Sequence, residues 1–277
     1  MTSFVPSICV LAMNGSSHIS PSLRTRTKSG QAAREFKFVI PASKAAKLAM
    51  FASESMGSDP YCTNDSYSES GIKNSYGVQS VYLDTPAKDI LYRNMDFRFN
   101  KYRIRRYGSS DILFLERKSK RNSELTKQRL SIPLKQLGDL DRWCDQSGHA
   151  VGNWFVEEAI RHRLRPVCSI AYQRQAFFLD SDNSSLRLTL DHSLSSKACE
   201  SIRFSDQDWS NSHRNVDPLD PLGFVINDQV VVEMKFEGAL PALFKRWIAE
   251  LDISPMRFSK YRMAMHCLVF SAGAMPC

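Results

Sequence analysis

Seven segments of this 277-residue chain repeat one pattern. Glu35 and Lys37, Arg103 and Arg105, Glu116 and Lys118, Lys127 and Arg129, Tyr172 and Arg174, Arg187 and Asp191 (with Thr189 between them), and Glu233 and Lys235 each sit an even number of residues apart. Strand side chains alternate between faces, so the members of each set share one face. Apolar residues such as Phe36 and Phe38, Ile104, Leu115, and Val232, Met234 and Phe236 fill the alternate positions. A single set of this kind is ordinarily the wet side of a sheet packed on its other side. Seven of them suggest a sheet that closes on itself, with the charged faces lining a lumen.

Many Lys and Arg side chains in one cavity repel one another unless an anion neutralises them. Arg forks and Lys ammonium groups suit phosphate oxygens. Glu35, Glu116, Glu233 and Asp191 are hard oxygen ligands that suit Mg²⁺ or Mn²⁺. The pattern therefore points to a site for a triphosphate or longer phosphate chain with a divalent metal. The sequence has no Gly-rich phosphate loop, so side chains must do the binding. It also lacks a supported Ser-His-Asp or Cys-His arrangement. His162, between Arg161 and Arg163, and His192, after Asp191, read as ordinary surface or structural residues. Tyr102, Tyr107 and the nearby Phe residues would suit RNA stacking, but they read as ordinary strand residues.

Composition agrees. The chain is 43% hydrophobic and 24% charged, with a net charge of +8 and a pI near 9.1, which fits one sizeable domain with anionic partners. Its seven Cys are scattered and form no C-x-x-C pair, as expected for free thiols in a reducing compartment. No apolar run reaches the roughly 18 residues of a membrane span, so a cytoplasmic location is expected. Residues 1–33 hold basic residues and no acid. They read as a disordered basic tail or an upstream start before Met13, with an organelle transit peptide as the alternative. Residues 271–277 read as a short C-terminal tail.

The elements that must position these side chains follow from periodicity. Strands are predicted at 34–40, 78–83, 102–107, 112–118, 127–132, 166–179, 186–190 and 225–236. Helices are predicted at 42–52, opened by Pro41, and at 134–143, 154–163 and 241–251. Long loops are predicted at 53–77 and 195–223. The expected fold is α+β: an antiparallel β-barrel tunnel of about eight strands, with helices packed outside.

The ordered series REFKFVI, SVYLDT, YRIRRYG, LFLERKSK, YQRQAFFLD, LRLTLD, VVEMKF and FSKY resembles the VTC domain. This is the polyphosphate polymerase domain of the triphosphate tunnel metalloenzyme (CYTH-like) superfamily. The resemblance runs from about Arg34 to about Tyr261, within an expected domain of residues 34–270. It implies a tunnel whose Lys37, Arg103, Arg105, Lys118, Arg174, Arg187 and Lys260 hold a phosphate chain. Lys127, Arg129, Tyr172, Lys235 and Ser259 would lie along it. Glu233 would be the metal ligand, with Glu35 and Glu116 as further carboxylates. The wider superfamily opens with Glu-x-Glu-x-Lys, whereas this chain has Glu35-Phe36-Lys37, one carboxylate fewer than a two-metal hydrolytic site uses.

The implied activity is phosphotransfer from ATP to a polyphosphate chain with Mn²⁺ or Mg²⁺. Arg103, Arg105, Arg174 and Arg187 would neutralise the transferred group. The alternatives on the same scaffold are a metal-dependent tripolyphosphate or nucleoside triphosphate hydrolase and a non-catalytic polyphosphate-binding module. ATP and inorganic polyphosphate are the expected partners, and nucleic acid is not.

Overall fold

A computed structural model describes residues 33–59, 74–94, 97–121, 124–138, 153–181, 184–205, 223–226 and 228–273. Ten strands are present: β1 (Ala33–Pro41), β2 (Gly57–Ser58), β3 (Ser75–Asp84), β4 (Lys101–Tyr107), β5 (Ile112–Arg121), β6 (Glu124–Pro133), β7 (Arg165–Ser181), β8 (Ser184–Ala198), β9 (Gly223–Ile226) and β10 (Gln229–Glu237). The helices are α1 (Ala42–Ser55), α2 (Asp89–Tyr92), α3 (Trp154–Arg161), α4 (Ala242–Glu250) and α5 (Lys260–Gly273).

The strands form one antiparallel sheet in the order β1-β10-β8-β7-β3-β4-β5-β6, with β2 added to β7 and β9 to β8. The α+β class and large antiparallel sheet match the sequence reading. Among the described residues no ladder joins β1 to β6, the two ends of the path, so the sheet is described without closure. The sheet still curls far enough for Lys118 on β5 to come within 3.7 Å of Glu35 on β1. Strand twist supplies such curling.

Local chemistry explains most boundaries. Pro41 precedes α1, whose Ala45, Leu48 and Ala52 are buried along one stripe. Asn153 caps α3 by accepting a hydrogen bond from the Val156 N–H at 2.9 Å. Gly108 turns β4 into β5 at a φ of +48°, a left-handed conformation that favours glycine.

Several predicted boundaries differ. The expected 186–190 strand runs from Ser184 to Ala198, because an extra residue at Ser193–Leu194 opposite Tyr172 lets it continue past a bulge. Ser193 takes up that irregularity at a φ of +50°. The expected 195–223 loop thus begins as strand and ends at β9, and its residues 206–222 lie outside the described residues. The expected 225–236 strand is two strands, β9 and β10. In the expected 53–77 loop, α1 continues to Ser55, β2 pairs with β7, and β3 already begins at Ser75. The expected 134–143 helix opens as a 3-10 turn at Leu134–Gln136, and residues 139–143 lie outside the described residues. Residues 1–32 and 274–277 do as well.

Two apolar cores flank the charged face. In one, Phe38 of β1, Leu188 and Leu190 of β8, and Val232, Met234 and Phe236 of β10 pack with Leu48 of α1 and with Phe244 and Trp247 of α4. The other joins Ile104, Leu113 and Leu115 to Phe155 and Ala159 of α3. That same core takes in Val78, Ile170, Leu194 and Val231 together with Tyr261 and Ala264 of α5. Register places those four strand residues on the charged face, so α5 covers its apolar part. Phe38→Ala is expected to lower stability by about 3–5 kcal/mol in urea unfolding. Lys37→Ala, one residue away on the other face, should leave the midpoint nearly unchanged.

Candidate functional site

The charged face gathers around a few carboxylates. On the β4-β5-β6 side, register aligns Arg103 with Glu116 and Glu116 with Arg129. The Arg103 Nε donates to Glu116 at 2.6 Å, the Arg129 Nε at 2.7 Å, and the Lys127 ammonium lies at 2.7 Å. Burial alone would raise the Glu116 pKa. Arg103, Arg105, Lys127 and Arg129 instead hold it well below the usual carboxylate range. Burial pushes Lys127 down to about 8, with Glu116 opposing the shift.

Arg105 is different. It is buried, and its guanidinium donates to two neutral oxygens, Ser80 Oγ at 2.9 Å and Tyr172 OH at 3.1 Å. Among the described residues no carboxylate forms an ion pair with it. Arg103 also reaches Tyr82 OH at 3.4 Å.

The β1-β10-β8-β7 side holds a second network. Lys37 lies 3.0 Å from Glu233 and 3.7 Å from Glu35. Lys235 lies 3.5 Å from Glu35 and 3.6 Å from Glu233. Arg174 grips Asp191 with both arms, at 2.6 and 2.8 Å. From the start of α5, Lys260 contacts Asp191 at 2.6 Å, Glu233 at 3.4 Å and the Tyr172 ring at 5.1 Å. Burial opposes ionisation of Glu233, yet Lys260, Lys235, Lys37 and Arg174 hold it well below its ordinary range. Arg187 pairs with Asp59 at 2.6 Å.

The structure thus brings every sequence-predicted site residue into one curled charged face, arranged in two networks. Lys118 reaches from one to the other through Glu35. Ser259 accepts a hydrogen bond from Lys101 at 3.0 Å. His192 and His162 keep ordinary roles, one against Gln175 and the other edge-on to Phe97.

Three residues at this face were missed or read differently in the sequence. Lys101 extends the same alternation one step before Arg103, so the signal was present. Asp59 sits in a Ser- and Gly-rich stretch that reads as loop, and no local pattern marks it. Tyr107, read as an ordinary strand residue, shares the face of Arg103 and Arg105 and accepts a hydrogen bond from Arg129 at 3.1 Å. Burial would raise its pKa, but Arg105 and Arg129 outweigh that effect and Glu116's opposition, lowering it to about 7.

The carboxylates fit a divalent metal unequally. Glu35 and Glu233 share Lys37 and Lys235 as neighbours, so their oxygens converge on one region. The buried Thr189 hydroxyl, in register with Glu233, has no hydrogen-bond partner in the structure. Two carboxylates and a hydroxyl, completed by phosphate oxygens and water, suit Mg²⁺ or Mn²⁺. Glu116 lies in the other network, where it contacts Arg103, Lys127 and Arg129 and shares no neighbour with Glu35 or Glu233 among these ion pairs. Among the described residues no three His, Cys, Asp or Glu side chains form a ready-made metal cage.

Among the described residues eleven Lys and Arg side chains (37, 101, 103, 105, 118, 127, 129, 174, 187, 235 and 260) meet five carboxylates (35, 59, 116, 191 and 233) on this face. Buried and half-buried cations are thus in surplus on this face. The VTC domain family model matches residues 32–269, and the chain belongs to this family. No curated protein matches the chain.

Solved structures with a similar course include a proposed adenylate cyclase of Bacillus halodurans (12% identity, TM-score 0.45, covering 83% of this chain and 94% of that one). Another is a proposed adenylyl cyclase from Hippeastrum with a dominant triphosphatase activity (14%, 0.44, 84% and 94%). A third is a proposed adenylate cyclase of Vibrio parahaemolyticus (10%, 0.41, 85% and 98%). No helix among the described residues is long and apolar enough to cross a membrane.

The charge arrangement makes Tyr107 a direct reporter. A pH titration followed by tyrosinate absorbance should show one early ionisation near pH 7. Tyr107→Phe should remove that step and leave the higher-pH steps in place.

Proposed function

We propose that this chain is a polyphosphate polymerase-like phosphotransferase that moves the γ-phosphoryl group of ATP onto a polyphosphate chain. The observation that carries this reading is the surplus of six cations over carboxylates on the curled face. Neutral hydroxyls, and among the described residues no carboxylate, hold Arg105 in its midst.

Phosphoryl transfer needs positioning and charge neutralisation more than covalent help. In the proposed step, a terminal oxygen of the acceptor chain forms a bond to the γ-phosphorus. The bond from that phosphorus to the βγ-bridging oxygen breaks, and ADP leaves with the electron pair. The acceptor oxygen is already ionised, so no general base is needed.

Arg103, Arg105, Arg174 and Arg187 would clamp non-bridging oxygens and offset charge in the transition state. Asp191 fixes Arg174 through its two-armed contact, and Asp59 fixes Arg187. Lys37, Lys118, Lys127, Arg129, Lys235 and Lys260 would line the path, with Tyr172 and Ser259 supplying hydroxyls beside them. Glu233 and Glu35, with Thr189, would hold Mg²⁺ or Mn²⁺, whose part is to polarise the phosphate oxygens. Glu116 serves the cations around it. Full enclosure as a tunnel, with the phosphate chain lying across the gap between β1 and β6, belongs to this proposal. Enclosure would favour transfer to phosphate over transfer to water.

Incubation with ATP and Mn²⁺ or Mg²⁺, followed by gel electrophoresis, tests the reading. Long polyphosphate is expected. Release of orthophosphate alone would mean a triphosphate hydrolase, and tight binding without turnover a binding module. Arg105→Ala is expected to reduce polyphosphate affinity by roughly 10- to 100-fold, the value of one or two charge-assisted hydrogen bonds. Glu233→Gln should abolish metal-dependent synthesis while the protein stays folded by circular dichroism.

A further inference from the structure

The cations of this face are not equivalent. Register aligns Lys101 of β4 with Lys118 of β5, and Lys118 with Lys127 of β6. Like charges directly opposite one another destabilise a sheet, and here three stand in one row. The acids nearby are engaged elsewhere. Glu116 contacts Lys127, while Glu35 contacts Lys118, Lys37 and Lys235. Lys101 donates to the neutral Ser259 hydroxyl, and among the described residues it has no carboxylate within ion-pair distance.

We propose that Lys101 is a further phosphate-binding residue of this site, seating a condensed phosphate on the lysine row of β4, β5 and β6. The inference rests on the phosphate-chain reading above and adds a regulated contact to it. An anion on the row meets three ammonium groups whose mutual repulsion it relieves, so the contact gains more than one lone lysine would provide. The groups facing Lys101 are Arg103 on its own strand, Lys118 on β5, Lys37 on β1 and Arg262 on α5. All are cationic.

Burial, reinforced by these neighbours, lowers the Lys101 pKa to about 7. The free protein at pH 8 therefore carries Lys101 mostly neutral. A phosphate on the row favours the charged form, so binding draws a proton from solvent. Affinity should fall as pH rises above about 7.

The test is isothermal titration of long-chain polyphosphate into the full chain at pH 8, in two buffers of different ionisation enthalpy. Wild type is expected to bind with net proton uptake. Lys101→Met should bind roughly tenfold more weakly, the loss of one charge-assisted hydrogen bond, and take up measurably fewer protons than wild type, the remaining uptake belonging to Lys127 and Tyr107. It should also melt no lower than wild type. Lys101→Arg should keep near wild-type affinity with the uptake reduced as in Lys101→Met, because a guanidinium stays charged at this pH.

Wild-type binding with no uptake, or an unchanged Lys101→Met, would overturn this inference and leave the functional reading standing. A wild type that binds no polyphosphate would overturn both. Loss of affinity in Lys101→Arg equal to that in Lys101→Met would point to packing at Ser259 and overturn the charge role.

Discussion

Much of this structure depends on a small number of buried carboxylates holding a larger number of cations on the inside of a curled sheet. Glu116 alone contacts Arg103, Lys127 and Arg129. Glu233 contacts Lys37, Lys235 and Lys260. Each carboxylate stays ionised despite burial because its neighbours outweigh the desolvation cost. In return each fixes three long, flexible side chains at their heads. The cations are placed without being fully neutralised, which is what a polyanion site requires.

The apolar framework exists to make that placement rigid. On β1, Phe38 is fully buried among α1 and α4 side chains while its neighbour Lys37 points to the charged face. A slip of one residue would exchange them, so the packed side pins the register of the charged side. On β8 the same logic runs into a bulge. The strand delivers Arg187, Thr189 and Asp191 to the site, and the irregularity at Ser193–Leu194 lets Leu194 join the core beneath α5. The start of α5 then places Lys260 between Asp191 and Glu233.

Alternation carried much of this in the sequence, because period two is a local property of each strand. It identified the inward residues of β1, β4, β5, β6 and β10 before any pairing was known. What it could not carry was long-range. Asp59 meets Arg187 only because β2 docks on β7, and nothing within residues 53–77 announces that contact. The bulge in β8 breaks the period, so periodicity ended that strand too early. Closure lay beyond its reach for a related reason. Alternation says which face is charged, whereas closure depends on whether the two edge strands meet in register. Lys101 is the instructive omission, since it obeys the same rule as Arg103 and Arg105 but opens the strand.

These differences bear on how such a site avoids collapsing on itself. Had every cation a carboxylate within reach, the face would be a stable salt-bridge lattice, and an incoming anion would have to break pairs to bind. Had none a partner, mutual repulsion would open the sheet or strip protons from the lysines. The structure takes both courses in different places. Arg103, Arg174, Arg187 and Lys260 are paired and fixed. Arg105 and Lys101 rest on hydroxyls. An arginine keeps its charge under those conditions and a lysine does not, so the two residue types divide the work. Under the proposed function arginine at 105 would give a permanent anchor, and lysine at 101 one whose charge depends on what lies beside it.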